Sequence, residues 1–96
     1  MNYFGQRIRE LREGRELFLR QVAAYLEVDT ALMSKIERGD RNASRDQVAK
    51  IAKFLKVEYD ELLTLWLADK VGSVVEEEKV WKTQFKELKR SHPIQN

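Results

Sequence analysis

Apolar residues recur along this chain at spacings of three and four, and each change of phase marks a new helix. Phe4, Ile8 and Leu11 share one side of the first stretch, and Gln6, Arg7, Arg9, Glu10 and Glu13 fill the rest, which predicts a helix from Tyr3 to Gly14. Val22, Ala23 and Leu26 predict a second over Leu19–Leu26, and Met33 and Ile36 a third over Thr30–Arg38. Val48, Ile51, Ala52 and Leu55 face inward on a fourth over Arg45–Leu55, with Lys50 and Lys53 outward. Tyr59, Leu62, Leu63 and Trp66 predict a fifth that ends near Trp66.

The polar punctuation agrees with these boundaries. Gly14 is a plausible stop for the first helix. Asp29 can accept the free N–H groups of the third helix's first turn, and Gly39 can end that helix in the left-handed conformation. Ser44 followed by Gln47 is a capping box for the fourth helix. Glu58 and Asp60 suit the positive N-terminus of the fifth. Val28 and Val57 each place a valine in the link between two helices. The fold class expected is all-α: five helices over residues 1–66 and a C-terminal helical segment over residues 67–96.

In that C-terminal segment Gly72-Ser73 weakens helix locally. Val80, Trp81, Phe85 and Leu88 return at helical spacing, and Ser91-His92-Pro93 breaks the pattern. The segment is either one extra helix or an extension of the fifth plus one more. Leu65, Leu67, Val71, Val75, Trp81 and Phe85 carry more apolar surface than five small helices need. They could fold back on their own chain or pair two chains. Pairing is the favoured reading, with Leu65, Trp66, Val71, Val75, Trp81 and Phe85 as the dimer interface.

Composition narrows the class. Ninety-six residues make one domain. The absence of cysteine removes disulfides and thiolate metal sites and suits a reducing cytosol. The longest apolar run, Leu62 to Ala68, falls far short of the roughly 20 residues that span a bilayer, and no secretion signal opens the chain, so the expected location is cytoplasmic with no membrane partner. The net charge of +2 is unevenly placed: residues 1–56 hold 12 Lys/Arg against 8 Asp/Glu, and residues 57–96 hold 6 against 8. That is ordinary solvated helix surface, or else a phosphate-facing front with a back kept away from nucleic acid. Catalysis needs a poised base, nucleophile or metal site. The single histidine, His92, stands beside a proline, and Glu76-Glu77-Glu78 is better read as a solvated charge run than as a cation site. No enzyme, cofactor or metal is expected.

The stretch FLRQVAAYLEVDTALMSKIERG, Phe18 to Gly39, is therefore two short helices joined by the tight turn Glu27-Val28-Asp29, with small Ala23 where the helices cross. Two helices held at a steep angle in this way are a helix-turn-helix, whose second helix can enter the major groove of DNA. Together with IRELRE, VAAYLEVD, LMSKIERG, the loop into VAKIAKFLKV and the final DELL, the region from Phe4 to Trp66 resembles the lambda-repressor-like, Xre/Cro-type helix-turn-helix regulators. The most specific elements are Ala23, Val28, Ile36, Glu37 and Gly39 at these separations. Residues 67–96 lie outside the resemblance.

The resemblance implies roles for particular residues. Thr30, Ala31 and Lys35 fall where the family's recognition helix meets base edges, with Leu32 and Ser34 beside them. Lys35 suits guanine O6 and N7, and the Ala31 methyl suits a thymine methyl. Arg20, Ser34, Arg38, Arg41 and Asn42 would meet the DNA backbone. Glu37 would pair with Arg12 and lock the first helix against the third. Three departures stand out. Phe18 and Leu19 replace a hydroxyl residue and a glutamine, which leaves Arg20 to take over a phosphate contact. Glu27 replaces a glycine, so it must tolerate positive φ at a cost of roughly 1 kcal/mol or the turn must differ. Asp29 would repel phosphate, so it should turn away from the duplex or leave binding weak without a second subunit. The implied function is a homodimeric, sequence-specific regulator of transcription acting on double-stranded DNA, with repression as the expected sign. The alternative is an antitoxin-like module whose C-terminal helix clasps another protein.

Overall fold

A computed structural model describes residues 2–74. Four helices follow in order: α1, Tyr3–Gly14; α2, Leu19–Leu26; α3, Thr30–Arg38; and α4, Arg45–Leu55. A fifth, α5, is helical from 59 to 74, the last described residue. The described residues contain no strand. The first four boundaries coincide with those the apolar periodicity predicts.

One device ends all four of the shorter helices. A residue in the left-handed conformation reverses the chain, and the next residue's N–H reaches back to a carbonyl five positions earlier. After α2 the left-handed residue is Glu27 (φ 58°), and Val28 N–H bonds Ala23 O at 3.0 Å. After α4 it is Lys56 (φ 56°), with Val57 N–H on Ala52 O at 3.0 Å. After α3 it is Gly39 (φ 82°), with Asp40 N–H on Lys35 O at 2.9 Å. The two link valines are thus the same structural part used twice: each closes a helix and packs against the core. After α1 the left-handed residue is Glu16 (φ 55°), with Leu17 N–H on Arg12 O at 3.0 Å. Gly14 is the last helical residue but does not make the reversal, because the hydrogen-bonded turn continues two residues past it.

The core is one cluster, drawn from every helix and the α3–α4 loop: Phe4, Ile8, Val22, Ala23, Leu26, Met33, Ile36, Ala43, Val48, Ile51, Ala52, Leu55 and Leu62. α3 packs on both α1 and α2, and α2 packs on α4. The approach of α1 to α3 depends on Gly5, since a Cβ there would run into the Glu37 carbonyl.

The structure adds detail at the end of the domain, where the extension of the fifth helix is one of the two readings the sequence leaves open. The fifth helix does not stop near Trp66 but runs unbroken through Gly72 and Ser73. A glycine inside a helix costs only about 1 kcal/mol against alanine, and the helix on its N-terminal side is anchored by packing. Leu65 and Trp66, assigned to a dimer interface from sequence, are partly buried against the chain's own core. The Trp66 indole donates to Ala43 O at 2.8 Å, so that ring has an intramolecular task. Val71 and Val74 are 61% and 60% exposed and Leu67 is 38% exposed, leaving an open apolar strip along the outer part of α5. Val75, Trp81 and Phe85 lie outside the described residues.

Candidate nucleic-acid interface

The two sides of α3 have opposite character. Met33, Ile36 and Glu37 are buried, while Thr30, Ala31, Lys35 and Arg38 are exposed and Ser34 is half-buried. Residues 30, 31, 34, 35 and 38 share one helical face, and that face leaves the body of the protein. Arg41 and Asn42, in the loop that follows, are exposed as well, as is Arg20 on α2. Among the described residues no carboxylate lies within ion-pair distance of Lys35, Arg41 or Arg20. Arg38 meets Asp40 at 3.2 Å, with both side chains well exposed. Such a surface pair is worth about 0–1 kcal/mol and yields readily to a phosphate.

What aims this face is a set of contacts on its hidden side. Arg12 of α1 grips Glu37 with Nε on one carboxylate oxygen at 2.7 Å and a terminal nitrogen on the other at 3.1 Å. Its remaining terminal nitrogen donates to Leu17 O at 2.9 Å. The side chains are only 14% and 7% exposed, so this is an enclosed, two-pronged pair of the kind arginine forms and lysine cannot. Donating to the Glu37 carboxylate holds the Arg12 guanidinium more firmly protonated than a free one, against the cost of its partial burial. The Asn2 amide donates to Glu37 O at 2.7 Å, and its oxygen caps α1 by accepting from Gly5 N–H. Both ends of Glu37, side chain and carbonyl, are therefore held by α1 or its cap.

At the other end of α3, Asp29 accepts Leu32 N–H at 2.7 Å. The carboxylate is engaged with the helix it begins, which answers how an acidic residue sits in the turn. Glu27 does adopt positive φ, and the turn keeps its form. Phe18 starts α2 without capping it with its side chain. The Gln21 side chain accepts Phe18 N–H at 2.6 Å. Phe18 is 58% exposed, and the Arg20 guanidinium lies 4.4 Å from its ring centre. Ser44 and Gln47 form the reciprocal cap of α4, so Ser44 acts as a cap.

Sequence reasoning missed Asn2 and Asp69. Asn2 carried a signal, since asparagine before a helix is a favoured cap. Asp69 carried none: its two oxygens accept Tyr3 and Phe4 N–H at 2.8 and 3.0 Å across more than sixty residues, a contact that no local pattern encodes.

The chain is similar to several known proteins. A family model described as "Helix-turn-helix domain" matches residues 4–65. The "HTH-type transcriptional repressor RghR" of Bacillus subtilis is 34% identical over 92 residues, 95% of this chain and 67% of that protein. The "Uncharacterized HTH-type transcriptional regulator RghRB" of the same organism is 42% identical over 64 residues, 66% of this chain. The matched part spans 46% of RghRB's length, under half of it. The crystal structure of the clp gene regulator ClgR from Corynebacterium glutamicum superposes with a TM-score of 0.62 at 22% identity, covering 97% of this chain and 94% of that one, a likeness of fold.

Proposed function

Because this chain belongs to the Xre-type helix-turn-helix family of DNA-binding transcription regulators, we propose that it is a repressor that reads the major groove with α3 as a homodimer. Thr30, Ala31 and Lys35 supply the base contacts. Arg20, Ser34, Arg38, Arg41 and Asn42 hold the backbone. The observation that carries this reading is the outer face of α3, exposed at Thr30, Ala31, Lys35 and Arg38 while its inner face is locked by Arg12 and Asn2.

One such helix reaches only a few bases, and a second copy on a half-site about one DNA turn away would multiply its discrimination. The open strip of Leu67, Val71 and Val74 supports pairing through the outer part of α5. The partners are then double-stranded DNA and a second copy of the chain, and the place of action is the cytoplasm.

The test is a titration of the purified protein against the DNA upstream of its own gene at two salt concentrations. Affinity should fall steeply with salt, because phosphate contacts release bound cations. Lys35→Ala should cost about 1–3 kcal/mol and relax preference at one base pair, whereas Arg41→Ala should weaken all sequences alike. Unchanged binding in both variants would remove this face from the interface. A chain that is a stable monomer in solution would remove the homodimer and favour clasping of another protein.

A further inference from the structure

The segment between Glu37 and Ala43 contains the proposed phosphate-facing residues Arg38, Arg41 and Asn42, and both of its ends are fastened, directly or through α1, to α5. At the far end, the Trp66 indole donates to Ala43 O at 2.8 Å, and Ala43 itself is buried. The Trp66 ring has Lys70 Nζ 4.3 Å from its centre and the Arg45 guanidinium 5.7 Å from it, which keeps the ring in this slot. At the near end, Asp69, one turn further along α5, accepts the first N–H groups of α1 from Tyr3 and Phe4. The residue just before them, Asn2, donates to Glu37 O at 2.7 Å and packs beneath Gly39, where an added Cβ would come within 2.8 Å of the Asn2 side chain.

We infer that Trp66 and Asp69 are positioning residues for DNA binding: from one side of α5 they clamp the 38–42 segment at both ends and set where Arg41 and Asn42 meet the phosphates. Neither residue touches the DNA. Their contribution is to remove in advance the freedom that this five-residue segment would otherwise lose on binding. α5 is thus a brace for the reading head as well as the stem of the C-terminal extension. This inference rests on the DNA-binding reading above and adds residues to it.

The experiment compares the full chain with Trp66→Phe, Asp69→Asn, Arg41→Ala and the double variant Trp66→Phe/Arg41→Ala. Each is titrated with the same operator DNA over a range of salt. Trp66→Phe keeps an aromatic ring in the slot and loses only the indole donor. It should weaken binding roughly fivefold and lower the slope of log affinity against log salt by about one, as loss of one phosphate contact does. In the double variant the loss should be close to that of Arg41→Ala alone, because both changes remove the same contact. Asp69→Asn keeps the side chain's shape and halves its acceptors, and it should lower the slope in the same direction. A Trp66→Phe protein with the parent's salt slope, or losses that simply add in the double variant, would overturn the inference. If Trp66→Phe is too unstable to titrate, an Asp69→Asn protein that melts as the parent does and keeps the parent's slope overturns it instead. If Arg41→Ala itself leaves affinity and slope unchanged, the failure lies in the assignment of the DNA-facing segment and not in the clamp.

Discussion

Removing Arg12 is the most informative single change, because the pair it forms with Glu37 joins the scaffold to the reading helix. In Arg12→Ala the Glu37 side chain, 7% exposed, loses both of its side-chain donors at 2.7 and 3.1 Å. Leu17 O also loses the donor it has in Arg12. Stranding one charge of a buried pair costs about 3–5 kcal/mol. The Arg12 side chain is 14% exposed, so water can reach the vacated space, and the lower end, about 3 kcal/mol, is expected. Against a domain stability of about 5–15 kcal/mol that is a large share. Arg12→Lys should fall between, since an ammonium reaches one oxygen and cannot form the fork. Replacing both members, Arg12→Met with Glu37→Met, should recover most of the loss, because no charge then remains buried. Urea unfolding followed by far-ultraviolet circular dichroism gives each value, with the m-value checked for constancy. The reasoning is refuted if Arg12→Ala unfolds within about 0.5 kcal/mol of the parent, the range of ordinary surface changes. It is also refuted if the double replacement is as unstable as the single one.

Further expectations follow from the backbone and the surface. Glu27→Gly should stabilise the protein by up to about 1 kcal/mol, because Glu27 is left-handed at φ 58° and glycine adopts that conformation without strain, less its larger freedom when unfolded; thermal unfolding reads the shift. Gly5→Ala should destabilise by about 1–3 kcal/mol or more, since the new methyl meets the Glu37 carbonyl, a backbone atom with little room to move; urea unfolding reads the loss. Arg9 bonds Glu13 at 2.8 Å and lowers its pKa, so this pair's support is present above the ordinary carboxylate pKa and is lost as pH falls through the lowered value. Glu13→Gln should therefore flatten the acid limb of stability against pH slightly, and 1 M salt should erase the difference from the parent.

The apolar period and the caps gave the helices α1 to α4 their limits, because both are local: side chains three or four apart share a face, and a capping side chain bonds a backbone group within a few residues. Asp29, Gly39, Ser44 and Gln47 are all of this kind. The pairing of Arg12 with Glu37 came from a resemblance, and the geometry bears it out. Gly14 ends α1 where the sequence placed the stop, while the left-handed residue that reverses the chain is Glu16, two positions further on, which no local pattern marked. Trp66 has a second task that no periodicity reveals. An aromatic at the edge of an apolar stripe looks available to a second chain, and only the folded chain puts Ala43's carbonyl within reach of its indole.

The order of residues alone determined that this protein is a set of short amphipathic helices and that residues 30–38 have one apolar and one polar side. The tertiary structure decided which way that polar side faces, and what holds it there. Asp69 on the α1 N-terminus, Asn2 on Glu37 and Trp66 on Ala43 each join groups more than twenty residues apart. Such contacts form only after the core has brought distant helices together, and helical periodicity, which repeats within a few residues, contains no record of them.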